Sequence, residues 1–194
     1  YLKFVYLYLL LISFGQFIQQ ILNFKIFIIF FNMLHNYLVM FKKRENILEI
    51  EEGNLLSPKF DNDGLIPVVT MCSKTKDILM HGYMNVEALK KTIETKEAHY
   101  FSRSRNQIWH KGKTSGYTQK VLEIRIDDDQ DSVWLTVDIG DGFSCHVGYR
   151  SCFYRSIPLG PIDNGRQIKM KFEEKEKSFD PEVIYKGQPN PTKI

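Results

Sequence analysis

The chain has 194 residues, 25% charged and 43% apolar, the balance of an ordinary globular domain. Its formal net charge of +3 is uneven: residues 1–44 hold five cations and no acid, and the rest holds 21 basic against 23 acidic residues. A slightly acidic body argues against a nucleic-acid binder, which needs a basic face. Three cysteines are too few for a disulfide framework and point to a reducing, cytoplasmic setting.

Residues 1–39 form a leader of Leu, Ile, Phe, Tyr and Asn with three competing readings. A membrane anchor is one, but the apolar runs Phe4–Phe14 and Ile26–Leu34 fall short of the roughly 20 residues that span a bilayer. Gln16, Gln19 and Gln20 interrupt any longer stretch. A signal or transit sequence is the second, although no small-residue cleavage site follows. The third is sequence that is not native coding, with Met40 a natural start. A membrane partner is expected only if the leader is genuine. Residues 40–59 then form a polar lead-in.

Within the expected domain, residues 60–157, two short strands run over Leu65–Cys72 and Asp77–Tyr83. Asn85 is an N-cap with Glu87 in the first helical turn, where the helix dipole favours an acid. Val86, Leu89 and Ile93 mark one apolar face of a helix ending near Lys96. "AHYFSRS" and "QIWHKG" pair around Arg105-Asn106. Leu122, Ile124 and Ile126 alternate with polar neighbours, as do Val133, Leu135, Val137 and Ile139, which describes a hairpin with one buried face. Two more short strands are expected around Cys145 and Cys152. The fold class is α+β: a small, mostly β, strongly bent sheet with one principal helix. Residues 158–194, Lys/Glu-rich and then Pro/Asn-rich, read as an extended tail.

Three local features carry chemistry. In "DDDQD", Asp127, Asp129 and Asp131 sit at alternate positions, so an extended segment would converge three carboxylates that need a hard cation such as Mg²⁺. An acidic turn accounts for the same residues. An EF-hand does not, since Ser132 and Asp138 stand where its Gly and Glu belong. Cys145 and Cys152 flank a short loop with His146 beside the first. Two thiolates so placed can share a zinc, or can simply be small buried hydrophobes. The stretch "HYFSRSRNQIWHKGKTSG" concentrates Arg103, Arg105, Lys111 and Lys113, which suits phosphate and equally a solvated hairpin.

Together, "DGLIPVV", "LMHGYMN", "HYFSRSRNQIWHKGKTSG", "DDDQD" and "SCHVGYRSCFYR" follow in the order and spacing of the phosphoribosyl-AMP cyclohydrolase family. The chain resembles that family over about residues 60–157. The resemblance implies a homodimer with its active site across the subunit interface. It implies Mg²⁺ on Asp127, Asp129 and Asp131, and one zinc shared across the dimer by three cysteines. Cys145 and Cys152 match two of these. Asp128 stands where the third is usual, and a carboxylate is an acceptable zinc ligand. The implied reaction is hydrolysis of the adenine ring of 1-(5-phosphoribosyl)-AMP, the third step of histidine biosynthesis.

For that chemistry His146, with His110 second, is the expected general acid/base because an imidazole titrates near neutral pH. Arg103, Arg105, Lys111, Ser115 and Trp109 are the expected contacts to the nucleotide. The alternatives are a catalytically impaired metal-binding homologue or another zinc-dependent purine hydrolase or deaminase. A nucleobase deaminase would carry His-x-Glu and Pro-Cys-x-x-Cys, and neither occurs here.

Overall fold

The computed structural model describes residues 19, 22, 24, 25, 41–161, 165 and 167–187. All three readings of residues 1–39 fall almost wholly outside that set. Among the described residues, no helix is long and apolar enough to cross a membrane. The chain divides into two compact units, residues 1–57 and 58–194.

In the first unit, helix α1 (Ile47–Glu51) starts at Asn46, whose side chain accepts from the amides of Leu48 and Glu49. The loop after α1 closes on the segment before it, with Lys42 N–H donating to Leu56 O and the Ser57 hydroxyl to Lys42 O.

The second unit is α+β and mostly sheet. Strands β1 (Ile66–Cys72) and β2 (Ile78–Met84) form an antiparallel hairpin. Helix α2 (Val86–Thr95) follows, then a separate hairpin of β3 (His99–Ser102) and β4 (Gln107–His110). Strands β5 (Lys120–Ile126) and β6 (Val133–Asp138) close the main sheet in the order β2-β1-β6-β5. The β1–β6 pairing is parallel, a long-range contact that local periodicity does not encode. Ile66, Val68 and Cys72 of β1 and Val133, Leu135 and Val137 of β6 are all buried. Their alternation puts one face of the sheet in the core.

Asn85 caps α2 as expected, accepting from Ala88 N–H, and Lys96 ends the helix in the left-handed conformation (φ 57°). The buried stripe differs from the expected one. Ala88, Leu89 and Thr92 face inward, whereas Ile93 is exposed. A buried threonine is tolerated because its hydroxyl donates to Ala88 O and accepts from His99 N–H. In β5 the expected inward residue Leu122 is also exposed. A bulge lies between Val121 and Glu123 opposite Val137–Thr136, so Leu122 is the extra residue and Val121 takes the core position.

No strand forms at Cys145 or Cys152. Residues 143–152 instead make a tight loop, with Ser144 N–H bonded to Arg150 O and Cys145 N–H to Tyr149 O. At its apex Gly148 has φ +107°, and a Cβ there would lie 2.6 Å from Phe179 O. Side chains are excluded both by backbone strain and by that contact. Within the segment expected as an extended tail, residues 171–187 fold back on this loop. Strand β7 (Arg155–Ser156) pairs with β8 (Lys171–Phe172), and a short helix α3 (Pro181–Ile184) is capped by Asp180.

Candidate active site

A cleft of about 650 Å³ opens beside the β3–β4 hairpin. Alternation along β4 aims Trp109 into it and turns His110 away. Lys111 follows on the cleft side, and the backbone then turns sharply at Gly112 (φ +85°). A Cβ at Gly112 would overlap the Tyr117 carbonyl, so glycine is what lets this loop fold tightly and bring Ser115 to the rim. Arg103 and Arg105 come from the hairpin turn, which Asn106 permits with φ 50°. The Arg103 guanidinium lies 4.0 Å over the Tyr83 ring, and Arg105 lies 5.5 Å over Trp109, within cation–π range.

The opposite wall is the 143–152 loop, which contributes Ser144, His146 and Cys152. It is pinned to β2, since Cys152 N–H donates to Leu79 O at 2.7 Å and the Ser151 hydroxyl to Ile78 O. The two thiols are adjacent. A hydrogen bond from Cys152 pulls Cys145 down to about 6, helped by backbone amides and the Lys111 ammonium. The same bond, the largest cause, pushes Cys152 up. The two thiols therefore titrate as a pair, losing the first proton more readily than an ordinary thiol and the second less readily.

Lys111 joins the two walls. It is 3% exposed, and its ammonium donates to Ser144 O at 2.7 Å. Burial pushes its pKa down, while the neighbouring thiols hold it up. Beneath it runs a closed polar chain. The Tyr100 phenol lies 2.7 Å from the Thr70 hydroxyl and donates to Gln119 Oε1, and the Gln119 amide donates to the Ser144 hydroxyl. Every member is buried, so the network fixes the floor of the cleft.

Of the expected site residues, Arg103, Arg105, Trp109, Lys111, Ser115, His146 and Cys152 line this one cleft, with Cys145 buried against Cys152. His146 Nε2 is shielded from solvent. His110 does not line it: its ring stacks on His99 at 4.3 Å, and its Nε2 lies 2.8 Å from Glu97 Oε2. The aspartates also lie elsewhere, at the tip of the β5–β6 hairpin. Oxygens of Asp127, Asp129 and Asp131 all fall within 4.8 Å of one another. The Lys59 ammonium lies 3.1 Å from Asp129 and 3.0 Å from Asp131. Asp128 is exposed and apart from that cluster.

Sequence reasoning missed His81, Tyr83, Tyr100, Lys177 and Tyr185 on the cleft walls. The first two had a signal, since His81 and Tyr83 alternate along β2 and so share a face. Their rings meet edge to face at 5.1 Å. Lys177 and Tyr185 had none, because they lie in the segment expected as a tail.

Residues 80–154 match the family model described as phosphoribosyl-AMP cyclohydrolase. The phosphoribosyl-AMP cyclohydrolase of Rhodopseudomonas palustris is 50% identical over 137 residues, covering 71% of this chain and 89% of its own. That of Bradyrhizobium diazoefficiens is 51% identical over 138 residues, covering 71% and 95%. That of Nitrobacter winogradskyi is 46% identical over 140 residues, covering 72% and 94%. The chain belongs to the phosphoribosyl-AMP cyclohydrolase family, a family of hydrolases.

Proposed function

We propose that this chain opens the adenine ring of 1-(5-phosphoribosyl)-AMP by hydrolysis, in histidine biosynthesis, with His146 as general acid/base. The observation that carries the reading is the meeting of His146, Lys111, Cys152 and two arginines on the walls of one cleft. The aromatic faces of Tyr83 and Trp109 suit a purine, and Arg103 and Arg105 suit phosphate oxygens.

The donor sets agree with the two metals that the family implies. Adjacent thiols that titrate as a pair beside a buried ammonium are prepared to give up protons to a soft cation, so Cys145 and Cys152 would hold zinc. Asp128 of a second copy of the chain would supply the third ligand, which makes the working unit a homodimer. Asp127, Asp129 and Asp131 offer clustered oxygens that would hold Mg²⁺. Zinc, when bound, supplies a Lewis acid that brings the pKa of a water near 7.

The protein's own groups do the rest. Trp109 and Tyr83 would hold the purine plane while the arginines fix the phosphates, which sets the ring carbon bearing the amino group. His146 would take a proton as water oxygen bonds to that carbon. As the bond from that carbon to the neighbouring ring nitrogen breaks, His146 would return the proton to the nitrogen. The carbon stays on the five-membered ring as a carboxamide and the ring nitrogen remains in the formimino arm, so one water is consumed.

The test is ring opening of 1-(5-phosphoribosyl)-AMP followed by ultraviolet absorbance with the purified chain. Turnover is expected with Zn²⁺ and Mg²⁺ supplied, and His146→Asn should lower kcat by about 10²–10⁴-fold. No turnover with both metals present overturns the enzyme reading and favours a metal-binding homologue that has lost catalysis.

A further inference from the structure

Residues 171–187 lie outside the segment matched by the family model, yet they wall one side of the cleft. They reach it through a series of fixed contacts. Phe172 packs against the stacked rings of Tyr149 and Tyr154. Both oxygens of Glu174 accept backbone N–H bonds from the 143–152 loop, from Arg150 at 2.7 Å and Ser151 at 2.9 Å. Ser178 N–H donates to Gly148 O, and the Phe179 ring stacks on Phe143 at 3.7 Å. The arm therefore follows the cysteine loop along its length.

Lys177, Pro181, Glu182 and Tyr185 of this arm line the cleft. Tyr185 and Ser115 both line the cleft, one from the arm and one from the loop after Gly112. Lys177 lies along the loop apex, its aliphatic stem in the space that a Cβ at Gly148 would enter, 3.1 Å from Lys177 Cδ. Among the described residues the Lys177 ammonium has no carboxylate partner. The other cations of the cleft come from elsewhere: Arg103 and Arg105 from the hairpin turn, over aromatic rings, and Lys111, buried against Ser144 O.

We propose that Lys177 is a substrate-binding residue that takes one phosphate group of a doubly phosphorylated nucleotide from the arm side of the cleft. The inference rests on the reading above only for the identity of the nucleotide. A ligand with a phosphate at each end needs cations at two places. Arg103 and Arg105 supply one from the hairpin turn, and Lys177 supplies the other from the arm. An ammonium on a flexible stem suits a mobile phosphate monoester as a point charge.

The experiment is calorimetric titration of AMP and of ribose 5-phosphate into the full chain, which reads binding without turnover. Lys177→Ala is expected to weaken one of the two probes about tenfold, the loss of one charged contact. The probe that weakens identifies the phosphate read. Lys177→Arg should recover most of the affinity, and Lys175→Ala, an exposed lysine on the same arm away from the cleft, should leave both probes unchanged. Unchanged binding of both probes by Lys177→Ala overturns the proposal, as does an equal loss in Lys175→Ala or a wild-type chain that binds neither. If the wild-type chain binds but does not turn over 1-(5-phosphoribosyl)-AMP, the enzyme reading fails and the phosphate site stands.

Discussion

The Lys111 ammonium donates a 2.7 Å hydrogen bond to the Ser144 carbonyl oxygen, tying the β3–β4 hairpin to the loop that carries both thiols. It places a buried cation beside Cys145 and Cys152 in a part of the protein that water reaches poorly. Two effects on Cys145 can be ranked. The bond from Cys152 is the larger cause of its lowered value, and the Lys111 charge is the smaller. In metal-free protein, a titration of thiolate absorbance should show one thiolate forming near pH 6. Cys152→Ala should move that titration well upward and Lys111→Met less so, because each removes something that favours the anion. Lys111→Met should also lower kcat/KM by about 10- to 100-fold, the range for losing a charged hydrogen bond at a site.

Glu174 grips two successive amides of the cysteine loop from the C-terminal arm. Carboxylate-to-amide bonds of this kind are stronger than neutral ones. Glu174→Ala leaves the Arg150 and Ser151 N–H groups without that acceptor and should destabilise the protein by about 1–3 kcal/mol, read from the denaturant midpoint. Glu174→Gln keeps one acceptor oxygen and should lose less. If the alanine variant unfolds at the wild-type midpoint, the arm does not hold the loop.

Much of this was legible in the sequence because it depends on local rules. Asn85 as a cap, the turn at Arg105-Asn106 and the β5–β6 hairpin all follow from short-range preferences. The residues of the motif series mostly converge: Arg103, Trp109, Lys111, Ser115 and His146 share one cleft. The departures have a common physical origin in long-range packing. Leu122 leaves the core because a bulge inserts one residue, and Thr92 enters it because His99 offers a backbone partner. His110 was misplaced for a simpler reason, since strict alternation with Trp109 already put it on the other face of β4. The arm was hidden by its composition. Its few aromatics, Phe172, Phe179 and Tyr185, find ring partners that only the fold brings near.

Lys59 occupies the position of a counter-ion at the hairpin tip, bonded to Asp129 and Asp131. Its ammonium is the main reason Asp131 titrates below an ordinary carboxyl. A carboxyl lowered in the folded state contributes stability above its unfolded value, and that contribution is lost as pH falls through the folded one. Lys59→Met removes the main cause of the lowering, so this group should contribute a smaller loss of stability on acidification than in the wild type. It also leaves three clustered carboxylates to repel one another. Added Mg²⁺ should therefore raise the Tm of Lys59→Met more than that of the wild type. Equal responses in both proteins would separate the cluster from cation binding.

Asp128 decides whether the thiol pair is completed by a carboxylate. It projects from the same turn as the three clustered aspartates but is not one of them, and it lies outside the cleft that holds Cys152. Among the described residues of one chain it does not gather with the two cysteines into a ligand group, so the proposed role in zinc binding calls on a second copy. That requirement makes the prediction two-sided. Asp128→Ala should lower the zinc retained per chain after dialysis, measured by elemental mass spectrometry. Asp128→Cys should retain at least as much as the wild type, because a third thiolate is a softer and better ligand for zinc than a carboxylate. Mixing Asp128→Ala chains with Cys145→Ala chains adds the geometric half of the test. If the ligands come from two copies, half of the sites in a mixed dimer regain a complete set and zinc retention recovers above that of either parent. If they come from one copy, each chain in the mixture stays as deficient as it was alone.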